Sequence, residues 1–245
     1  SDGSSDLQLA IASADGTSRR TLTRTNGLAT FDWMPDGRVL FAQLELADRY
    51  RAYSDLYVTT LDGTVRRLTH GARLSDPSVG PDGASAVAVA GGDGTTALVS
   101  VDLTNGQQTT LVAAEPDVQW AFPSVSPNGR WIAVTRWTLG ANHDVVILDR
   151  RGGVVHEVTA DRALDLAPKW SPDGQHLVWG SDRSGIPNIL GAPVDPETGI
   201  AGAPLMLTNV RTGATFPSID PSGGWIYFSG YHVDGWEVER VRFAP

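Results

Sequence analysis

The sequence has no cysteine, which removes disulfides, thiolate nucleophiles and Cys-ligated metals together. That absence fits a reducing compartment as well as a bacterial export route that needs no staples. Long hydrophobic runs are missing too. The longest, Ala86 to Ala90 and Val145 to Leu148, are strand-length and far short of the roughly 18 residues that a membrane-spanning helix needs. The start, Ser1-Asp2-Gly3-Ser4-Ser5-Asp6, is polar, lacks an initiating Met and has none of the pattern of a signal peptide, so the chain reads as a processed or excised piece. Positive charge is scarce: the formal net charge is −9. A phosphate-neutralising surface would have to be assembled against the field of the whole molecule, which argues against a nucleic-acid partner.

What the chain does contain is turn chemistry. It has 27 Gly and 15 Pro in 245 residues, with 41% hydrophobic and 19% charged residues, the balance of a packed protein of many short strands. One motif occurs five times: Pro35-Asp36-Gly37, Pro81-Asp82-Gly83, Pro127-Asn128-Gly129, Pro172-Asp173-Gly174 and Pro221-Ser222-Gly223. Successive prolines are 46, 46, 45 and 49 residues apart, and a period this regular is one supersecondary unit used repeatedly. In each copy Pro presets φ, the Asp, Asn or Ser can bond nearby backbone, and Gly takes the positive φ that closes the turn.

Short apolar segments flank every turn, such as Pro168-Lys169-Trp170 before and Leu177-Val178-Trp179 after. A second pair follows, as in Val145 to Leu148 and the segment ending Val158-Thr159. Four antiparallel strands per unit of about 46 residues predict an all-β β-propeller of four-stranded blades. A sandwich also offers many short strands, but it predicts no strict period. The units divide at about 1–29 (partial), 30–75, 76–121, 122–166, 167–215 and 216–245 (partial) within one domain spanning 1–245. Residues before Thr30 supply only a second hairpin, and Trp236 to Val241 is a third strand with no fourth. The expectation is therefore six blades, with an incomplete one at the chain ends.

The stretches Phe122-Pro123-Ser124-Val125-Ser126-Pro127-Asn128-Gly129 and Ala167-Pro168-Lys169-Trp170-Ser171-Pro172-Asp173-Gly174, each closed further on by a Val-Thr or Leu-Thr pair, resemble the TolB-type propeller repeat of bacterial envelope proteins. Ser181 to Ile189 and Leu207 to Pro217 are similar to the same propellers inside larger envelope proteins. The first two copies depart from the repeat at Met34 and Gly80, and the last at Asp220 and Ser222. The resemblance implies a periplasmic or extracellular destination and a role in holding a protein or peptide partner, or neighbouring domains. The alternative it leaves open is an accessory domain of an envelope peptidase or of a carbohydrate-active propeller enzyme.

No catalytic constellation, cofactor motif or metal motif accompanies the repeat. His156-Glu157-Val158-Thr159-Ala160 lacks the second histidine of a zincin site and lies in a predicted strand. Gly83-Ala84-Ser85-Ala86-Val87 lacks the second glycine of a hydrolase elbow. His70, His143, His156, His176 and His232 fall at different places in their units and imply no shared ring of ligands. Asp36, Asp82 and Asp173 are explained by their turns. Trp131, Trp170, Trp179 and Trp225 are expected to pack between blades; Trp120 and Trp137 sit nearer strand ends and are better candidates for an exposed face, although packing is the preferred reading for them too.

The longer connections are the candidate partner-binding elements. Leu46 to Ser54 mixes charge and aromatics through Arg49, Tyr50, Arg51 and Tyr53, and Trp137 to His143 occupies the equivalent place in a later unit. Such mixtures suit a polar interface, and both segments are expected to emerge on one face of the disc. They could equally serve only to cover blade edges.

Overall fold

The computed structural model describes residues 7–244 except Leu28 and Ala141, and of Asn142 only the backbone. The polar start at residues 1–6 and position 141 of the second insertion therefore lie outside the described residues.

Alternating apolar side chains separated by Pro/Gly turns fold here as antiparallel sheets. Strands β1 (Gln8–Ile11) and β2 (Arg20–Arg24) pair alone. The first blade follows with β3 (Thr30–Trp33), β4 (Val39–Leu46), β5 (Ala52–Thr59) and β6 (Val65–Arg67). The second has β7 (Leu74–Val79), β8 (Ser85–Gly91), β9 (Thr96–Asp102) and β10 (Gln108–Val112). The third has β11 (Val118–Val125), β12 (Trp131–Thr138), β13 (Asn142–Asp149) and β14 (Val154–Glu157). The fourth has β15 (Asp165–Trp170), β16 (His176–Ser181), β17 (Asn188–Pro193) and β18 (Leu205–Met206). The fifth stops at three strands: β19 (Ala214–Ile219), β20 (Trp225–His232) and β21 (Gly235–Arg242).

The described residues thus hold five blades, not the expected six. Five sheets have the form of a blade, four of them four-stranded, and β1–β2 is a separate pair. The first strands of the blades stand side by side in the order β3, β7, β11, β15, β19, and residues of four of them line one cavity. That arrangement is a ring of blades around an axis, not two facing sheets.

Burial explains why the middle strands are apolar on both faces. In β12, Ile132 and Val134 join Val87, Val89 and Leu98 of the second blade, while Ala133 one position along joins Trp170, Leu177 and Trp179 of the fourth. The third blade is buried against a neighbour on either side, so in its middle strands a period of two gives no polar face.

The repeated turns are built alike. In each, the Gly amide donates to the carbonyl three residues back, at 2.8–2.9 Å (Met34, Gly80, Ser126, Ser171 and Asp220 accept), and each Gly has φ between 65° and 84°. Asp36, Asp82, Asn128 and Asp173 accept the amide two residues on, at 3.0–3.1 Å. This is a Pro-initiated type I turn closed by a left-handed glycine.

The Leu-Thr and Val-Thr pairs that end the units have a structural task. Thr69, Thr159 and Thr208 accept buried amides from Leu56, Val145 and Ile189 at 2.8–2.9 Å. Their hydroxyls donate to Asp55, Asp144 and Asn188 respectively. At the first of these, burial pushes the Asp55 carboxyl up, but the amides of Ala72 and Gly71 together with Arg67 and Thr69 more than offset it and hold it below the usual range. Among the described residues Asp144 has no guanidinium in bonding contact, and burial raises it.

Close approach between blades explains another set of glycines. A Cβ on Gly106 would lie 2.5 Å from the carbonyl oxygen of Leu68, and one on Gly152 2.4 Å from that of Leu111. Gly63 meets the carbonyl oxygen of Leu22 at 2.9 Å in the same way. Strand β2 therefore stands against the first blade as the outer strand of a preceding blade would, and Leu9 and Leu22 pack on Val39, Phe41 and Tyr57 accordingly.

Candidate partner-binding face

In an antiparallel blade the turns between second and third strands leave at the end opposite the Pro-Gly turns. Both insertions singled out in the sequence are such turns, so their hairpins rise from one face. They belong to different blades, with the second blade between them.

The β4–β5 hairpin is a stiff arm. Asp48 Oδ1 accepts the amides of Tyr50 and Arg51 at 2.8 and 2.9 Å, and Asp48 Oδ2 accepts Nε of Arg51 at 2.6 Å. The Arg51 guanidinium, with those amides, holds the Asp48 carboxyl below its ordinary range. Arg51 is consequently committed to the turn. The same knot turns Tyr50 outward at 87% exposure, with the Arg49 guanidinium 5.8 Å from its ring centre. Leu46 is exposed at 79% on the same arm. Tyr53 is half-buried beneath Arg73, 4.7 Å from its ring centre, with its hydroxyl near Arg51.

Trp137 and His143 face each other across β12 and β13. With Gln119, Trp120, Ala121 and Thr135 they line a cavity of about 170 Å³, room for one side chain or a handful of waters. Its floor is anchored to the fourth blade, because Thr135 Oγ1 accepts the amide of Ala167 at 3.2 Å. Half-buried Trp137 presents apolar surface beside the exposed amide side chain of Gln119. Trp120 takes the packing role preferred for it. It is 6% exposed and packs into the core between the second and third blades, since one residue along β11 reverses the side-chain direction.

The other tryptophans divide. Trp170 and Trp179 are buried, with Nε1 donating to Ser124 O at 3.0 Å and to Asp165 Oδ1 at 2.9 Å. Trp131 is closed over by Gly199 and donates to Pro196 O. Trp225 departs from the expectation of packing between blades: it lies under Arg240 and Arg242, 4.5 and 4.3 Å from its ring centre.

The axis contributes residues that the sequence reading passed over. Asp76, Phe122, Ala167 and Phe216, each just before a proline, have φ of 48–55°, and in each of those strands the pairing register slips at this point. The bulge re-aims the inner strand. Phe122 and Phe216, two blades apart, meet edge to face at 5.7 Å, with Phe216 52% exposed. The signal was present as a recurring x-Pro, but Phe in a strand reads as core unless the bulge is known. Among the described residues no three His, Asp or Glu side chains are grouped as metal ligands.

No protein-family model matches the chain. A curated relative, the TolB homolog of Chlorobium luteolum (strain DSM 273 / BCRC 81028 / 2530), is 30% identical over 147 residues, which is 56% of this chain and 31% of that protein. The TolB homolog of Chlorobium chlorochromatii (strain CaD3) is 27% identical over 59% of this chain and 32% of its own length. Among solved structures, TolB from Acinetobacter baumannii superposes with a TM-score of 0.74 at 21% identity, covering 96% of this chain and 57% of that one. The chain is a TolB-like β-propeller. It spans about a third of the length of the two TolB homologs. The TolB-like propeller is also similar to "Uncharacterized peptidase YuxL" of Bacillus subtilis (strain 168), at 32% identity over 61% of this chain and 21% of that protein.

Proposed function

We propose that the propeller is a non-catalytic binding module of the bacterial cell envelope, periplasmic or extracellular, that holds a protein or peptide partner through its loop face or central opening. Arg49, Tyr50, Arg51, Tyr53, Trp137 and His143 are the residues of that face assigned to the contact, with Arg51 acting through the turn it braces. The carrying observation is Tyr50 at 87% exposure and Leu46 at 79% on an arm tied down by Asp48. A large amphipathic side chain held ready in solvent loses little conformational freedom on binding. The likeness to TolB homologs supports the envelope setting. Among the described residues no helix is long and apolar enough to cross a membrane.

The same reading gives the ring six blade positions within one domain over residues 1–245, divided near 30, 76, 122, 167 and 216. In it β1–β2 is the outer half of a blade, supported by Gly63 approaching Leu22 as Gly106 approaches Leu68. On this reading the cavity of about 620 Å³ between Ala10 to Gly16 and Tyr227, Val238 and Arg240 lies at the join with the fifth blade.

A photo-crosslinking residue placed at Tyr50 or Trp137 in bacteria tests the proposal. Specific adducts are expected there and not at Asp62 or Asn105, on turns at the opposite end; equal adducts at both ends would overturn it. A second reading, an accessory domain of a peptidase, draws on the YuxL match. It predicts adducts with another domain of the same polypeptide.

A further inference from the structure

Lys169 is the sole lysine of the chain, and it stands on an inner strand at the Pro-Gly-turn end of the central opening. A cavity of about 210 Å³ there is lined by Asp32, Ser78, Ser124 and Lys169, one from each of four blades, with Pro81, Pro127 and Pro172 at its rim.

At this position the first two blades use the side chain as mortar. Asp32 Oδ2 accepts the amide of Val79 in the next blade at 2.8 Å, and Ser78 Oγ accepts that of Val125 at 3.0 Å. An ammonium has three donors and no lone pair, so Lys169 cannot repeat the bond. It is half-buried and, among the described residues, has no carboxylate within ion-pair distance. Asp76 feels its charge only through space. Ser78, having accepted the Val125 amide, keeps its own proton to donate. Asp32 is a second tenant of the cavity, with Oδ2 on Val79 and Oδ1 on the amide of Trp33 at 3.0 Å. Its negative charge repels a dianion about twice as strongly as a monoanion.

We infer that this mouth of the opening is a carboxylate site, in which Lys169 and the Ser78 hydroxyl hold a single carboxylate carried by an inserted peptide. This mouth lies at the end opposite the loop face, so the peptide is a second ligand and the carboxylate site stands on its own geometry.

A sole lysine makes the test direct, because reductive 13C-methylation labels only Lys169 and the chain's amino terminus while keeping the charge. The protein is titrated with three N-acetylated tripeptides: Gly-Gly-Gly with a free C-terminus, amidated Gly-Glu-Gly and amidated Gly-Gln-Gly. A saturable shift of the Lys169 methyl signal is expected with one or both carboxylate peptides and none with the Gln peptide. Which of the two shifts it identifies a chain terminus or an acidic side chain as the source. By calorimetry, Lys169→Gln weakens binding by about tenfold or more, the scale of a charge-assisted hydrogen bond, whereas Lys169→Arg retains most of it.

No saturable shift with either carboxylate peptide, an equal response to the Gln peptide, or tighter binding of inorganic phosphate overturns the site. A null result here together with specific crosslinks at Tyr50 removes the carboxylate site and leaves the partner-binding function intact. The reverse pair of results removes that function and keeps the site.

Discussion

The amide of Asp76 donates to Oγ1 of Thr30, 2.9 Å away, across the boundary between the first two blades. The Asp76 carboxylate in turn accepts the amide of Phe122 in the third blade at 3.3 Å. One residue thus stitches three inner strands, and it does so as an acid whose pKa is raised, chiefly by burial, with the Phe122 amide, Thr30 and Lys169 opposing.

The raised value sets the sign of a pH effect. The folded state holds the proton more tightly than the unfolded one, so stability contributed at this site falls as pH rises from the ordinary carboxylate value through the raised one. Asp76→Asn keeps an acceptor for Phe122 and removes the charge. It is expected to raise the melting temperature at pH 7, with the advantage shrinking towards pH 4; a variant equally or less stable than the parent at pH 7 would refute this.

Asp55 has the opposite sign. Its depressed pKa gives stability present at neutral pH and lost as pH falls from the ordinary carboxylate range through the depressed value. Asp55→Ala, which strands Arg67 and the amides of Gly71 and Ala72, is expected to cost about 3 kcal/mol near neutrality. Denaturant unfolding at pH 7 and pH 3 should show the deficit narrowing in acid.

Thr208→Val removes a hydroxyl and keeps the shape. The Ile189 amide and Asn188 Oδ1 each lose a buried bond of 2.8–2.9 Å, at an expected cost of about 1–3 kcal/mol. Urea titration checks it, and a loss under about 0.5 kcal/mol would mean that water replaces the threonine.

Gly152→Ala and Gly16→Ala separate two effects. Both glycines have positive φ, 87° and 78°, so each alanine pays about 1–2 kcal/mol of left-handed strain. Only the first puts a Cβ against the neighbouring blade, whereas nothing lies within 4 Å of the second. Gly152→Ala should lower the melting temperature well beyond Gly16→Ala; equal losses would show that the blades part without cost.

The architecture was legible because its determinants are local. Pro127-Asn128-Gly129 specifies a turn from three adjacent residues, and its recurrence specifies the blade. The task of Thr159 was not legible, because a threonine at a strand end reveals neither the Val145 amide it accepts nor Asp144. The side that Trp120 faces was not legible, because it depends on the register of β11, which shifts between Ala121 and Ser124. Exposed Tyr50 could be found from its charged neighbours; the cavity joining Trp137, His143 and Gln119 needed the strand pairing. Lys169 stood in full view within the repeat, and only the ring of equivalent positions showed that it replaces an acceptor.

The account rests most heavily on the loop face as the binding surface. Its direct measure is the affinity of the crosslinked partner for the parent propeller and for the double variant Tyr50→Ala/Trp137→Ala, by calorimetry. The account predicts binding weaker by about thirtyfold or more, the loss of a hot-spot pair, with the melting temperature nearly unchanged. An affinity within error of the parent's would contradict it.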